Sequence, residues 1–445
     1  MARGIFYATF ICLIFQCAFG GGVYDIRDFG AKPESGFCNT KQINAAIEKC
    51  SKDGGGTVLV KGGEYTTGSV VLKDNVSLKI EKDAVLKGTA NLNDYVCHDD
   101  FTGKALVRGG KWTRGLIFAS YAKNIEICGE GTIDGSHVED PTGEEQIRGP
   151  HAVFIVECED ITVKDIKIKR ASNYALMMVA TENVVVKNID IREGWDGIHV
   201  RVCKNLLVEN CQVRSGDDAL AGGYWDKAII RNCYLNSACN GVRFVQPVKN
   251  VLMENLQLKG PGEYAHRTSY KFNKDGRKNM LCGLAIQPGA WGYSPGEVKN
   301  VKIKDVTIDN VGCPLYMVAN FDVEVDGVLF ENIKATNCRY IPLSIATWRK
   351  STSIKDVAFK NVSVEYVGDA PDYAVKASTK KAPRTEIYIL PYWGFFAKNA
   401  EDLKFENFAI SCKSPDKRPA VGLENSSIEE LKNFTINGKV VKNLK

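Results

Sequence analysis

Hydrophobic and polar residues alternate through most of this chain, and the alternation falls into a nine-residue phrase that recurs. Most copies open on Asn or Asp, run through alternating apolar residues, and meet a second Asn or Asp before the alternation resumes. They read "DITVKDIKI" from Asp160, "NVVVKNIDI" from Asn183, "NLLVENCQV" from Asn205, "KAIIRNCYL" from Lys227 and "NVLMENLQL" from Asn250, with starts 23, 22, 22 and 23 residues apart. Copies continue from Asn300, Gly327, Asp356 and Asp402 behind longer insertions. Alternation at period two predicts strands. A repeat of about 22 residues is too short for a hairpin plus a helix, so each copy reads as one coil of a solenoid, its strands stacked on those above and below. The prediction is an all-β chain, a parallel β-helix, with Asn188, Asn210, Asn232 and Asn255 forming one side-chain amide ladder at a turn.

A solenoid exposes its first coil, and the stretch "KQINAAIEKCS" (41–51) supplies a cover. Its apolar positions Ile43, Ala46, Ile47 and Cys50 have helical spacing, and Thr40 stands where an N-cap would. The stretches 259–297 and 365–399 break the repeat and read as long loops flanking a groove. The first twenty residues, "MARGIFYATFICLIFQCAFG", have the basic, apolar and small-residue layout of a signal peptide. The organisation expected is therefore a leader at 1–20 and a single β-helix domain at 21–445, secreted or periplasmic. A lipid anchor on Cys17 fits poorly, because Phe15 and Gln16 precede it.

Composition narrows the partners. The chain has 445 residues with 58 Lys and Arg against 53 Asp and Glu, a net charge of +5 with no basic block, so nucleic acid is a poor partner. No downstream segment is apolar enough to span a bilayer. Of 15 cysteines, Cys12 and Cys17 lie in the leader, and the rest contain no C-x-x-C pair. No metal site and no cofactor is expected, and Cys203, Cys211 and Cys233 read as small buried hydrophobes.

Aligning three successive coils brings the chemistry together. "GWDGIHV" (194–200), "GDDALAG" (216–222) and "CNGVRF" (239–244) put Asp196, Asp218 and Asn240 in one column, with Asp217 beside Asp218. The next column is small (Gly197, Ala219, Gly241) and the one after is apolar (Ile198, Leu220, Val242). A bend at the small column turns the acids outward. Coils lie roughly 5 Å apart, so the three carboxyls repel one another, and at least one should hold its proton well above the ordinary range. A ladder would use neutral Asn; clustered acids point to a site. A protonated carboxyl that gives its proton to a leaving oxygen, next to an ionised one that activates water, is what glycosidic cleavage needs. Calcium binding is the rival explanation of clustered oxygens. Trp225, Trp291, Tyr293 and Trp393 are candidates to stack on sugar faces.

The chain resembles glycoside hydrolase family 28, the polygalacturonase family of pectin-degrading right-handed parallel β-helix enzymes. The resemblance runs through "YDIRDFGAK" (24–32), the stretch 54–88 and "GEGTIDG" (129–135), and is most specific at "WDGIHV" and "GDDALA", which resemble the family's Asn-Thr-Asp and Asp-Asp motifs. It implies that Asp217 is the general acid and that Asp196 and Asp218 hold and activate the water, with inversion at the anomeric carbon. Two departures bear on substrate. Asn240 stands at the family's histidine, and Ala285 and Gln287 stand where the family's Arg and Lys grip the galacturonate carboxylate. An uncharged pair cannot form that clamp. Arg243 and His199, which share a column flanking the acids, are the replacement contacts, together with "HRTSYK" (266–271); Asn240, Gln287 and Trp291 complete the substrate-binding set. The expectation is an exported, monomeric inverting glycoside hydrolase acting on a pectic or related polysaccharide or oligosaccharide other than plain polygalacturonate. The alternative is a β-helix that binds carbohydrate without cleaving it. A lyase ranks third.

Overall fold

The computed structural model describes residues 21–97, 110–269, 275–383 and 385–444. The expected leader lies outside them. Strands join into one continuous sheet, and consecutive coils pair in parallel register. One interior column, Leu176, Ile198, Leu220, Val242, Leu284 and Leu315, steps from coil to coil along the axis. The chain is a right-handed parallel β-helix, as the repeat predicts, and its aliphatic interior is a single core. Towards the C-terminal end aromatic side chains take over, with Phe359 stacked between Phe330 and Phe405 at 5.3 Å on each side. The antiparallel pairing is between Ile428–Ile436 and Lys439–Val441, a hairpin that closes the last coil.

The predicted ladder is present as two bonded pairs. Asn188, Asn210, Asn232 and Asn255 all have φ between 52° and 56°, a left-handed turn conformation that asparagine tolerates better than other L-residues. Asn210 donates to the Asn188 amide oxygen at 3.2 Å and Asn255 to Asn232 at 2.8 Å, so the turn that costs backbone strain is held by side-chain bonds between coils. A second set of such bonds joins residues at or beside the start of successive phrases: Asn183 donates to Asp160, Asn205 to Asn183, Asn250 to Asp226 and Asn300 to Asn250.

The helix Thr40–Lys52 covers the first coil and buries the four residues its spacing selected. Thr40 is its first residue rather than its cap. Asn39 precedes it, and the Thr40 hydroxyl accepts from the Gly68 amide at 2.6 Å instead. The two breaks in the repeat are more than loops. The first contains the strand Cys282–Ile286 and the second the strand Phe395–Lys398, each continuing the same face of the β-helix. No helix among the described residues is long and apolar enough to cross a membrane. All thirteen cysteines among the described residues are free, and Cys203, Cys211 and Cys233 are buried as expected.

Candidate active site

The acids stand at a corner between two faces of the β-helix. The strand Gln212–Ser215 ends, residues 216–219 turn, and the strand Leu220–Ser237 begins. Glycine is required at 197 on the coil before, since a Cβ there would lie 2.3 Å from Val213 Cγ1 and 2.6 Å from the Ala219 carbonyl oxygen. That close approach lets the corner stack. The Gly197 amide donates to the Asp218 carbonyl, and the Ala219 amide to the Asn240 carbonyl, each at 2.9 Å. Asp196, Asp218 and Asn240 therefore share a column, and the bend sends their side chains outward while Ile198, Leu220 and Val242 fill the core.

The three carboxyls sit in different surroundings. Asp196 is 3% exposed; its Oδ2 meets His199 Nδ1 at 2.7 Å and its Oδ1 accepts from the Asp218 amide at 3.3 Å. Asp218 is 5% exposed, accepts from Asn240 Nδ2 at 2.6 Å, and lies 3.7 Å from the Arg243 guanidinium. Asp217 reaches furthest towards solvent, with 14% of its side chain exposed, and lies 3.5 Å from both Arg148 Nη2 and His266 Nε2. Arg148 is held flat over the Trp195 ring at 3.8 Å, and His266 meets the edge of the same indole.

These surroundings separate the acids electrostatically. Burial raises Asp218, and the charges of Asp217 and Asp196 add to it; Arg243 and the Asn240 hydrogen bond oppose this, and the carboxyl stands at about 7. Burial and the neighbouring Asp217 charge also push Asp196 well above the carboxylate range. Burial would raise Asp217 too, but the His266 hydrogen bond and the charges of His266, Arg148 and Arg243 overcome it and hold Asp217 well below that range. Near neutral pH the cluster thus contains an ionised Asp217 beside neighbours that hold a proton. His199 is pushed down to about 3, chiefly by burial and then by the Arg201 charge. Its contact with Asp196 is accordingly a hydrogen bond with a neutral imidazole, and its ring stacks on Tyr174 at 4.8 Å.

One outward column runs Met177, His199, Ala221, Arg243, Ala285, Tyr316, Ser344, Phe396. It is covered on both sides of the acids. Trp112 and Tyr174 pack over Met177, Phe118 and Phe154, while Ile387, Ile389 and Leu390 pack over Ala285, Tyr316 and Phe396. The Thr385 carbonyl accepts from Arg243 Nη2 at 2.8 Å and ties this second cover to the site. What remains is a pocket about three coils long, roughly 10 Å along the axis, with a floor of His199, Ala221 and Arg243.

The other expected contacts divide. Trp291 is 63% exposed, at the pocket's rim, with the Arg243 guanidinium 5.4 Å from its ring; Tyr293 is 69% exposed beside it. Trp225 and Trp393 are not sugar platforms. Trp225 is 1% exposed, bonds the Val200 carbonyl through Nε1 at 2.7 Å and packs on Phe244, and Trp393 packs on Tyr366. Gln287 follows the strand Cys282–Ile286 and is fully buried, with both side-chain polar atoms unpartnered. Ala285 forms part of the pocket's far wall. Of "HRTSYK", His266 reaches Asp217 and Arg267 pairs with Glu139; residues 270 and 271 lie outside the described ones. Arg148 and Thr385 escaped the sequence reading because they come from a turn and an insertion with no fixed phase in the repeat, whereas Trp195 and Tyr174 are in phase, one coil before Asp217 and Asp196 respectively, and could have been counted. Asp217, Asp218 and Cys239 are the one group of side chains among the described residues close enough to hold a metal, within 4.8 Å. Arg148, Arg243 and the Asn240 amide already compete for those oxygens, and calcium wants six to eight oxygen ligands.

Residues 50–263 match the family described as glycosyl hydrolases family 28, and the chain is a divergent relative of that family. A probable polygalacturonase of Vitis vinifera is 23% identical over 174 residues, a stretch covering 37% of this chain and 35% of that protein. The chain thus matches about a third of the length of this curated relative. The exopolygalacturonase of Thermotoga maritima superposes with a TM-score of 0.65 at 18% identity, covering 91% of this chain and 92% of that one. The family 28 exopolygalacturonase of Yersinia enterocolitica gives 0.63 at 16%, covering 95% and 79%. At these identities the two structures share the fold.

Proposed function

We propose that this chain is an exported glycoside hydrolase that removes sugar from the ends of a pectic or related polysaccharide, with inversion. The observation that carries the reading is the split within the carboxyl trio. Asp217 faces the pocket mouth, ionised, while Asp218 beside it holds a proton up to about pH 7. Asp217 is the group that meets the glycosidic oxygen, and Asp218 supplies the proton that Asp217 passes on. Once it has given up that proton, Asp218, beside Asp196, accepts one from the attacking water, which returns it to its starting state and balances the cycle. The family resemblance assigns the acid to Asp217 alone; the cations around it make Asp218 its proton source. The covers on both sides support action at chain ends, since a running polymer has no way through a pocket of this length. Ala285 and Gln287, buried and uncharged, support a substrate other than plain polygalacturonate, so a rhamnogalacturonan-type or neutral linkage fits.

The test is reducing-end release from polygalacturonan, rhamnogalacturonan, galactan and other plant and algal polysaccharides by wild type, Asp217→Asn and Asp218→Asn, with product sizes followed from the earliest times. Release that disappears in both variants and begins with the shortest products supports the reading. Mixed oligomers at early times would reject end-wise action. No release from any polymer, with one of them still bound, would make the chain a carbohydrate-binding β-helix.

A further inference from the structure

A second cavity lies on the same flank of the β-helix, beyond the cover that closes the acid pocket. It has a volume of about 310 Å³ and is walled by three coils, at residues 348–355, 399–401 and 425. Such a volume sits at the small end of the roughly 300–1,000 Å³ range of small-ligand sites. Arg243 and Ser344 are three coils apart in one column, about 15 Å along the axis at the usual spacing. Residue 348 stands just beyond that column. Tyr316 and Leu390, both buried, fill the space between, so this cavity is separate from the pocket of the acids.

Its walls are built rather than accidental. Trp348 is fixed by its Nε1–H to the Thr379 carbonyl at 2.6 Å and by packing on Phe396. Arg349 lies over the Phe321 ring at 4.5 Å, which holds the guanidinium plane, and its buried Nε has no partner. Thr352 is 8% exposed and its hydroxyl has no partner either. Lys350 adds positive charge, while Lys355 pairs with Asp326 at 3.8 Å, and the lining itself offers a single carboxylate, Glu401. The ladder amide of Asn399, bonded to the Thr347 carbonyl at 2.7 Å, presents the remaining polar edge. A preorganised guanidinium, an orphaned hydroxyl and net positive charge beside an indole suit one ligand chemistry, a sugar unit bearing a carboxylate or a sulfate.

We infer that this cavity is an accessory subsite for an anionic sugar unit, holding a charged stretch of polysaccharide beside the pocket that receives its end. The inference rests on the polysaccharide reading above, but not on cleavage. It is tested on the full chain carrying Asp218→Asn, which leaves a bound polymer intact. Calorimetric titration with oligogalacturonate, a sulfated carrageenan oligomer and a neutral galactan oligomer is repeated with Arg349→Ala, Thr352→Val and Lys350→Glu. Lys350 is exposed, so its variant is expected to fold whatever becomes of the Arg349 packing. The expected result is salt-sensitive binding of one of the two anionic probes, weakened about tenfold or more by each charge variant, with galactan unaffected. The probe that binds identifies carboxylate or sulfate. Binding that all three variants leave unchanged, or no binding of either anionic probe, overturns the inference. Release of reducing ends by wild type, measured separately, tells the two readings apart. Cleavage with unaltered binding in the variants keeps the hydrolase and removes the subsite. Binding that the variants abolish, in a chain that cleaves nothing, keeps the subsite and removes the hydrolase.

Discussion

Replacing Asp218 by Asn should flatten the pH dependence of stability. Asp218 stands at about 7 against an ordinary 3.8, and about 3 pH units correspond to about 4 kcal/mol between its protonated and ionised forms. The sign follows from proton counting. Between those two values the folded chain holds a proton that the unfolded chain has released, so stability falls as pH rises through the window. The contribution is complete below about pH 4 and gone above about pH 7. The amide introduced by Asp218→Asn cannot ionise, yet its oxygen can still accept from Asn240 Nδ2, now 2.6 Å from the carboxylate. Its neutrality forfeits the attraction to Arg243 at 3.7 Å but also lifts the repulsion on Asp196 and Asp217. The variant should therefore lose less stability than wild type between about pH 4 and pH 8, by up to about 4 kcal/mol. The assay is urea unfolding of both proteins at matched ionic strength across that range, followed by tryptophan fluorescence, since Trp195 contacts Arg148 and His266 at the site. Equal slopes in the two proteins, or a steeper one in Asp218→Asn, would show that Asp218 does not hold the proton.

Other outcomes follow from the same geometry. Activity of wild type should fall as pH rises through about 7, the value of Asp218, and a basic limb well above this in the pH dependence of kcat/KM would count against Asp218 as proton source. Arg148→Met removes a buried cation 3.5 Å from Asp217. It should cost on the order of 3 kcal/mol in an unfolding titration and raise the pH at which Asp217 takes up a proton, seen as an acid limb moved upward. Trp225→Phe should cost about 1 kcal/mol by removing the indole hydrogen bond to the Val200 carbonyl, with kcat unchanged, whereas Trp291→Ala should raise KM with little change in unfolding.

What the sequence disclosed was whatever the repeat keeps in phase. The column of Asp196, Asp218 and Asn240 and the one of His199, Ala221 and Arg243 could be read by counting, because parallel coils preserve register over 22 residues. Trp225 shows how one turn residue spoils such a reading. Tyr224 before it has a φ of 52°, which resets the alternation and points Trp225 into the core, in a column with Cys203 and Val248. That column could have been counted too, had the tryptophan been judged by its coil neighbours instead of by its aromatic ring. The protonation pattern is another matter. Motif and column identify three acids, but which of them is ionised depends on side chains that the repeat does not place. Arg148 arrives from the turn after Glu144–Gln146 and His266 from the insertion after Val248–Lys259, and both converge on Asp217. Asp218, one residue away, meets an amide and a guanidinium at a longer distance. Adjacent carboxyls in one turn are thus driven in opposite directions by side chains from outside the solenoid. The β-helix sets where the acids stand, and the insertions set which one holds the proton. A relative that kept both aspartates but lost Arg148 and His266 should therefore keep the fold and the column while the proton shifts towards Asp217.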